Sequence, residues 1–232
     1  MMKFRCALTL LFLITGVIKG GSQTLSASEE AAGWKLLFDG KTSRGWKSAK
    51  GNAFPKTGWT IEEGVLIVQA GMGGGDIVTT DQYGSFELSL EFRLTTGANS
   101  GIKYCVQPAT SLGLEYQLLD DEKHPDAQEG VRGNRTLASL YDLIPAENRE
   151  IHPPGKWNHV RLLVKENHVE HWLNGKKVVE YETGTQIFRA LLAKSKYKDI
   201  PGFGLHEMGH ILLQDHGDTV SFRNIKIRTI QK

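Results

Sequence analysis

The stretch Gly113-Leu-Glu-Tyr-Gln-Leu-Leu-Asp-Asp-Glu-Lys-His124 decides how the rest of the chain is interpreted. Side chains of a β-strand alternate between two faces, so residues two positions apart lie on the same face. Leu114, Tyr116 and Leu118 share one face, whereas Glu115 and Gln117 share the other. The stretch therefore predicts a strand that packs one face into a core and presents a carboxylate beside a carboxamide on the opposite face.

Short strands separated by turn residues account for most of the remaining chain. Residues 86–94 and residues 220–228 alternate between apolar and polar side chains, and Asn174-Gly175 between two alternating runs is a strong hairpin signal. No linker or composition break divides residues 30–230, which we take as a single domain. An open sheet of about a dozen strands would bury too little apolar surface. We therefore expect an all-β fold, built as a two-sheet sandwich.

The first residues have the pattern of a secretory signal. Lys3 and Arg5 precede an apolar run over residues 7–18, which is short for a membrane span. We expect a signal peptide over residues 1–22, cleaved between residues 20 and 28, and an exported, soluble product that is periplasmic or secreted. The formal charge of +2 becomes −1 once Lys3, Arg5 and Lys19 are removed. Such a chain offers no electrostatic attraction to nucleic acid or to an anionic membrane.

Cysteine and tryptophan positions indicate a core built by packing. After cleavage Cys105 is the one cysteine left, so it has no internal disulfide partner and is expected to be a small buried side chain. The five tryptophans all lie in or beside predicted strands and are interpreted as core residues: Trp34, Trp46, Trp59, Trp157 and Trp172.

Residues 120–154 interrupt the strand pattern with a long, charged, irregular segment. Loops of this length inside a compact domain are usually functional or disordered. The segment contains Arg135 and Tyr141, and basic and aromatic residues together argue against simple disorder. We therefore expect an ordered loop near the polar face of the Glu115 strand.

A metalloprotease pattern, His206-Glu-Met-Gly-His210, is present but is not interpreted as a zinc site. The pattern binds zinc when both histidines share one face of a helix. Glycines at 202, 204 and 209 are poor helix formers, and residues 211–214 fit a strand better. We expect this pair to lie on loop or extended backbone.

The spacing Glu115-x-Gln117-x-x-Asp120 resembles the paired carboxylates of retaining sandwich glucanases. A β-bulge near Leu118-Leu119 is needed to bring Asp120 onto the face of Glu115. The middle position is an amide here, which departs from the acidic pattern. A conventional glycosidase that uses Glu115 and Asp120 is therefore kept as an alternative.

The chain from residue 33 to residue 228 resembles the 3-keto-disaccharide hydrolase domain family, formerly a domain of unknown function. The motifs that carry the resemblance occur in the expected order over nearly the whole mature chain: Gly33-Trp-Lys-Leu-Leu-Phe-Asp-Gly40, Tyr83-Gly-Ser-Phe-Glu-Leu-Ser-Leu-Glu-Phe92, Asn99-Ser-Gly-Ile102, Gly113-Leu-Glu-Tyr-Gln-Leu-Leu-Asp120, Gly155-Lys-Trp-Asn158, Trp172-Leu-Asn-Gly175 and Leu213-Gln-Asp-His-Gly217. The resemblance implies a jelly-roll sandwich of the concanavalin A-like lectin/glucanase type. It also implies cleavage of glycosides whose C3 hydroxyl has been oxidised to a ketone.

Such a substrate fits the residues, because a C3 ketone acidifies the C2 proton and allows the aglycone to leave from C1 by elimination. The path needs one base, an electrophile for the enolate oxygen and an acid for the leaving group. Glu115 or His124 is the candidate base, and Lys103 is the candidate electrophile. Asp120 is a further candidate catalytic residue. Asp120 and His124 are alternatively a candidate site for a divalent cation.

Residues from two further segments are expected to contact a sugar. We interpret Gln117, Gln214, Asp215 and His216 as lining the same groove as Glu115, although Asp215 also suits a turn. Arg135 and Tyr141 are interpreted as hydroxyl-binding and sugar-stacking residues. The expected partner is a small-molecule or oligosaccharide substrate. From another functional class, a non-catalytic carbohydrate-binding sandwich remains the alternative.

Overall fold

Thirteen strands and two short helices make up the regular structure of this computed structural model, which describes residues 23–231. The helices are α1 (Ala27–Ala31) and α2 (Gln186–Leu192), and a 3-10 helix spans Pro125–Gln128. The strands are β1 (Lys35–Leu36), β2 (Trp46–Ser48), β3 (Trp59–Glu62), β4 (Val65–Val68), β5 (Ile77–Thr79), β6 (Phe86–Leu94), β7 (Asn99–Val106), β8 (Leu114–Leu119), β9 (Asn158–Lys165), β10 (His168–Leu173), β11 (Lys176–Glu182), β12 (His210–Leu213) and β13 (Val220–Thr229).

The strands form two antiparallel sheets. One sheet has the order β11-β10-β9-β6-β13-β4-β3, with β1 also paired to β13, and the other has the order β2-β5-β12-β7-β8. Most neighbours within each sheet are distant in the chain, so long connections cross between the layers. The two-sheet, all-β sandwich predicted from the sequence is confirmed.

The core lies between the sheets and follows the period-two pattern. From the eight-stranded sheet, Leu88 and Leu90 of β6 are fully buried, and from the five-stranded sheet Ile102 and Tyr116 are fully buried. Complete burial of a large apolar side chain contributes about 1.5–3 kcal/mol to stability. Cys105 is buried and free, as expected. The inward face of β8 is therefore the apolar face predicted from the sequence.

The tryptophan prediction is correct for two residues and wrong for three. Trp46 and Trp59 are buried in the core. The other three are half-buried on the outer face of the eight-stranded sheet, where arginine guanidinium groups lie over their rings: Trp34, Trp157 and Trp172. Residues on either face of a strand recur every two positions. The sequence pattern therefore does not distinguish a tryptophan that packs under arginine on the outer face from a tryptophan in the core.

Part of the long segment after β8 runs back along the β8 edge. The backbone N–H of Ala138 donates to the carbonyl oxygen of Gln117 at 2.8 Å, and the N–H of Tyr141 donates to the carbonyl oxygen of Glu115 at 3.0 Å. The Asp121 carboxylate anchors the segment by accepting from the Leu137 N–H at 2.7 Å. The segment is therefore ordered, as expected, and it covers a sheet edge that would otherwise have unpaired backbone groups.

A buried hydrogen-bond chain joins the two sheets and this segment. The Tyr181 and Tyr104 hydroxyl oxygens are 2.6 Å apart, and the Tyr104 hydroxyl lies 2.9 Å from Nε2 of His171. Nδ1 of His171 lies 2.9 Å from the carbonyl oxygen of Ala138. A carbonyl only accepts, so Nδ1 of His171 carries a proton, and in the neutral ring Nε2 accepts from Tyr104. Burial lowers the pKa of His171 from 6.5 to about 4.

The described chain has no helix with the length and hydropathy that crossing a bilayer requires. The predicted signal peptide over residues 1–22 lies outside the described residues.

The His171 arrangement predicts an acid-sensitive fold. Between pH 6.5 and about 4 the unfolded chain binds a proton at this residue and the folded chain does not, so the free energy of unfolding falls as the pH falls. The loss attributable to His171 is about 3 kcal/mol over that window. Denaturant titrations at pH 7 and pH 4.5 should show a smaller pH dependence for His171→Gln than for the wild type.

The matched control is His206→Gln, because His206 is exposed in a loop. This variant should keep the full pH dependence of the wild type. An equal pH dependence in wild type and His171→Gln would contradict the assignment.

Candidate functional site

The outer face of the five-stranded sheet carries a row of side chains that is apolar in the centre and charged at both ends. The row is in register over all five strands: Lys47, Val78, Leu212, Lys103 and Glu115. Its centre belongs to a small apolar cluster that includes Val78 and Leu212. Lys103 and Glu115 form the end beside the covered edge of β8, and a lysine, Lys47, stands at the opposite end. We call the end formed by Lys103 and Glu115 the polar face.

Glu115 is the buried acid of the polar face. Its residue surface is 5% exposed, and its Oε2 lies 3.7 Å from Nζ of Lys103. Lys103 also donates to the carbonyl oxygen of Ser111 at 3.3 Å. Burial raises the pKa of Glu115 above its ordinary value, while the positive charges of Lys103 and Lys196 oppose that shift. A carboxylate in this setting is a stronger base than one in water.

Gly101 makes room for that carboxylate. Gly101 pairs with Gln117 on β8, and a Cβ at position 101 would lie 2.1 Å from Oε1 of Glu115. The Glu115 carboxyl group therefore lies over a position that has no side chain. This glycine is part of the Asn99-Ser-Gly-Ile102 motif. Because it has no side chain, it leaves room for the Glu115 carboxyl group.

Two carboxamide oxygens lie beside Gly101 without a hydrogen-bond partner. Gln117 is 1% exposed and Asn99 is 4% exposed, and their side-chain oxygens have no partner among the described residues. By strand alternation both side chains belong to the same outer face as Lys103. A buried unpaired carboxamide oxygen costs about 1–3 kcal/mol, which favours a ligand that donates hydrogen bonds to it.

Lys196 is a site residue that the sequence did not indicate. It lies in the loop after α2, and its backbone N–H donates to Oδ2 of Asp142 at 2.8 Å. Much of its side chain is exposed, but Nζ lies 4.0 Å from the ring centroid of Tyr141. Partial burial lowers the pKa of Lys196, and the charge of Glu115 acts in the opposite direction. In the sequence, the run Lys194-Ser-Lys-Tyr-Lys198 has the composition of a solvent-exposed loop, so it gives no sign that Lys196 belongs to the candidate site.

Arg135 and Tyr141 support Lys196. The Arg135 guanidinium donates to Asp142 at 2.7 Å and to Asp126 at 3.0 Å, and it lies 5.5 Å from the Tyr141 ring centroid. Tyr141 is buried, with Arg135 and Lys196 against its ring. The sugar contacts expected of both residues remain a prediction; in the structure the Tyr141 ring contacts both Arg135 and the Lys196 ammonium.

Asp120 and Asp215 hold turns. The two oxygens of Asp120 accept from the N–H groups of Gly97 at 2.7 Å and Glu122 at 3.1 Å. Those of Asp215 accept from Gly75 at 2.8 Å and Gly217 at 3.0 Å. The pairing of β8 with β7 runs from residue 114 to residue 119 without a register shift. The bulge that would align Asp120 with Glu115 is therefore absent.

Three metal-ligating side chains converge next to the polar face. One donor atom from each of His124, His216 and Asp218 lies within 4.8 Å of the other two. The sequence suggested His124 with Asp120 for a cation, but the carboxylate oxygens of Asp120 are engaged by backbone. Gln214, which follows β12, donates its N–H to the Gly101 carbonyl oxygen at 3.0 Å. The segment from Gln214 to Asp218 is thus fixed beside Gly101.

The His206/His210 pair lies on loop and strand backbone, as predicted. His206 is in a loop, and His210 begins β12, where it pairs with Val106. The ring of His210 contacts the Asp81 carbonyl oxygen at 3.2 Å and Gln82 Nε2 at 3.3 Å. The prediction that this pair lies on loop or extended backbone is confirmed.

Known proteins match this chain over most of its length. The family model for the 3-keto-alpha-glucoside-1,2-lyase-like domain matches residues 33–228. A relative from Bacteroides thetaiotaomicron, a 3-keto-disaccharide hydrolase, is 35% identical over 90% of this chain and 85% of its own length. A crystal structure from Parabacteroides distasonis, assigned as a glycosyl hydrolase, has a TM-score of 0.81 and 32% identity and covers 90% of this chain and 99% of that one.

A more distant likeness bears on the fold alone. The lumenal domain of VIP36, solved with Ca²⁺ and Man3GlcNAc, has a TM-score of 0.52 at 9% identity, over 86% of this chain and 91% of that one. The lectin-type sandwich implied by the resemblance is therefore confirmed. From the match over residues 33–228 and the 35% identity, the chain belongs to the family of the 3-keto-alpha-glucoside-1,2-lyase-like domain.

Proposed function

We propose that this protein cleaves the glycosidic bond of 3-keto-glycosides, with Glu115 removing the C2 proton and the aglycone leaving by elimination. The observation that carries the proposal is one buried carboxylate with the Lys103 ammonium 3.7 Å away and the positive charge of Lys196 also acting on it, while the carboxylate of Asp120 is committed to backbone N–H groups. Family membership and the 3-keto-disaccharide hydrolase activity named for the Bacteroides relative support the substrate class.

The residues present fit an elimination better than a double displacement. A retaining glycosidase needs two carboxyl groups about 5 Å apart. Asp76, the other acid whose charge acts on Glu115, precedes β5, and β5 is three strand positions from β8. Three strand spacings are about 14 Å at the backbone. Elimination requires a single base, which Glu115 supplies.

The proposed reaction proceeds through an enolate. Glu115 takes the proton from C2, and the electrons of the C2–H bond form the C2–C3 enolate with negative charge on the C3 oxygen. Lys103 and Lys196 supply positive charge for that oxygen. The enolate then reforms the ketone, a C1–C2 double bond forms, and the C1–O bond breaks as the departing oxygen takes up a proton from the protonated Glu115, directly or through water, which returns Glu115 to its carboxylate form.

The fate of the unsaturated sugar decides between two product types. Addition of water across C1 and C2 completes a net hydrolysis, whereas release without water is a lyase outcome. The family is described as lyase-like and the Bacteroides relative is named a hydrolase. A lyase releases the unsaturated sugar before hydration, whereas a hydrolase releases the sugar after water has added. Both descriptions therefore fit the same elimination step.

His124 fits the base less well than Glu115. Its Nδ1 accepts the backbone N–H of Asp126 at 3.2 Å. A neutral imidazole that accepts at Nδ1 carries its proton on Nε2, so neither nitrogen has a free lone pair. In this arrangement His124 donates a hydrogen bond and does not remove a proton.

The N-terminal pattern of Lys3, Arg5 and the apolar run over residues 7–18 supports export, so we place the reaction in the periplasm or outside the cell.

The mechanism predicts that the C3 ketone is required. An unactivated C2–H is too weak an acid for any side chain of this site, so a 3-keto-glucoside should be cleaved and its unoxidised parent should not. A C2-deuterated 3-keto substrate should show a primary isotope effect or exchange with solvent. Glu115→Gln should lower the cleavage rate about 10²- to 10⁴-fold and abolish exchange.

Glu62→Gln is the matched control, because Glu62 is exposed on β3, and it should keep wild-type rates. Comparable cleavage of the unoxidised glucoside with full C2 deuterium retention would restore the conventional glycosidase. Binding of the ketone with no turnover by the wild type would favour the carbohydrate-binding alternative.

Gly101→Ala tests the placement of the base. The new methyl group would meet the far end of the Glu115 side chain, so we expect the carboxylate to move while the fold is retained. The kcat should fall at least about 100-fold, because small misplacements at a reacting centre have effects of this size. Gly51→Ala, where the nearest atom to a Cβ lies at 3.4 Å, is the control and should behave as wild type.

Lys196→Met tests the ammonium group that the sequence did not indicate. Methionine keeps the apolar stem against Tyr141 but removes the charge, so kcat should fall at least about tenfold with little change in thermal stability. Lys198→Met, at an exposed position two residues away, should have no effect. Equal kcat values for the two variants would remove Lys196 from the mechanism.

A further inference from the structure

The cluster of His124, His216 and Asp218 has the composition of a metal site. Its three donor atoms lie within 4.8 Å of one another, and the two imidazole rings are 6.2 Å apart with an interplanar angle of 80°. His124 comes from the loop after β8, whereas His216 and Asp218 come from the loop after β12. Two separate loops therefore supply ligands to one point.

The backbone fixes both loops independently of any ligand. The N–H of His124 donates to the Asp120 carbonyl oxygen at 2.9 Å. On the other side, the Asp215 turn positions His216, and one oxygen of Asp218 accepts the Asn99 N–H at 2.9 Å. Among the described residues His216 has no hydrogen bond, and Asp218 has no salt bridge with a lysine or arginine. The His216 and Asp218 donor groups are thus held in place with coordination capacity left over, whereas His124 would have to give up its contact with the Asp126 N–H.

A second cluster of possible metal ligands already contains a lysine that pairs with its carboxylates. His168, Glu170 and Glu180 also have donor atoms within 4.8 Å of one another. Lys177 lies 3.4 Å from Glu170 and 2.6 Å from Glu180, so a lysine ammonium already pairs with both carboxylates. A cation at that cluster would have to displace Lys177. The cluster of His124, His216 and Asp218 has no such internal cation among the residues that the structure describes.

We propose that His124, His216 and Asp218 bind one divalent transition-metal ion. Two imidazoles and one carboxylate suit ions of intermediate softness such as Zn²⁺ or Co²⁺, whereas Ca²⁺ and Mg²⁺ prefer sites made of oxygen. Three protein ligands also leave coordination positions open for a small molecule. The binding claim depends on these three residues alone and is independent of the proposed glycoside chemistry.

Binding has a structural consequence at the 3-10 helix Pro125–Gln128. Coordination through Nε2 of His124 requires a proton on Nδ1, and coordination through Nδ1 uses its lone pair directly. In either case Nδ1 no longer accepts the Asp126 N–H. Metal binding and this 3.2 Å contact therefore exclude each other, and the Asp126 amide reports on the metal.

The test is calorimetric titration of Zn²⁺ into untagged, chelator-treated protein. We expect one equivalent to bind, and we expect His216→Ala and Asp218→Asn each to weaken binding at least about tenfold. The carboxamide introduced by Asp218→Asn keeps an oxygen for the Asn99 N–H, and His216 is exposed, so both variants should fold, which circular dichroism checks. His168→Ala is the control and should bind Zn²⁺ as the wild type does.

Hydrogen exchange gives a second measurement, because Zn²⁺ should accelerate exchange at the Asp126 amide in the wild type and not in Asp218→Asn. Absence of Zn²⁺ binding, binding that survives both variants, or equal preference for Ca²⁺ would overturn the proposal. Glu115→Gln should bind Zn²⁺ normally while lacking cleavage, so failure of the metal site and failure of the proposed reaction are distinguishable.

Discussion

A carboxylate removed from water on the outer face of a sheet is the constraint on which the rest of this site depends. Glu115 is nearly fully buried, and an isolated buried carboxylate would be strongly destabilising. Lys103 on the neighbouring strand and Lys196 from a loop supply the opposing charge. Gly101 supplies the space. The burial that strengthens the base therefore also explains why the lysines and the glycine are where they are.

The loops around Glu115 are held by side chains that resemble catalytic groups. Asp120 and Asp215 each use both oxygens on backbone N–H groups. Arg135 is held by carboxylates of its own segment and lies against Tyr141, which in turn contacts Lys196. Many of the charged residues around Glu115 therefore fix the loops through hydrogen bonds within the protein.

Period-two alternation made the fold and the placement of Glu115 and Gln117 predictable from the sequence. The same alternation placed Lys103 on one face of β7 and Ile102 and Tyr104 on the other. It could not decide the role of Asp120, because an aspartate that closes a turn and an aspartate that performs catalysis look alike in a sequence; in the structure both of its oxygens accept from backbone N–H groups. It gave no indication of Lys196, since the segment after α2 has no strand period, and the position of Lys196 depends on a tertiary contact with Asp142.

The segment around Ala138 and Tyr141 has two roles: it covers the β8 edge, and it forms part of the candidate site. Exposed strand edges pair readily with other chains, and proteins that leave them open tend to self-associate. Here the backbone that blocks the edge also positions the Tyr141 ring against which Lys196 lies. A change that loosens this segment to admit a bulkier ligand would also expose the unpaired backbone groups of the β8 edge. Broadening of specificity in this loop is thus limited by aggregation as well as by chemistry.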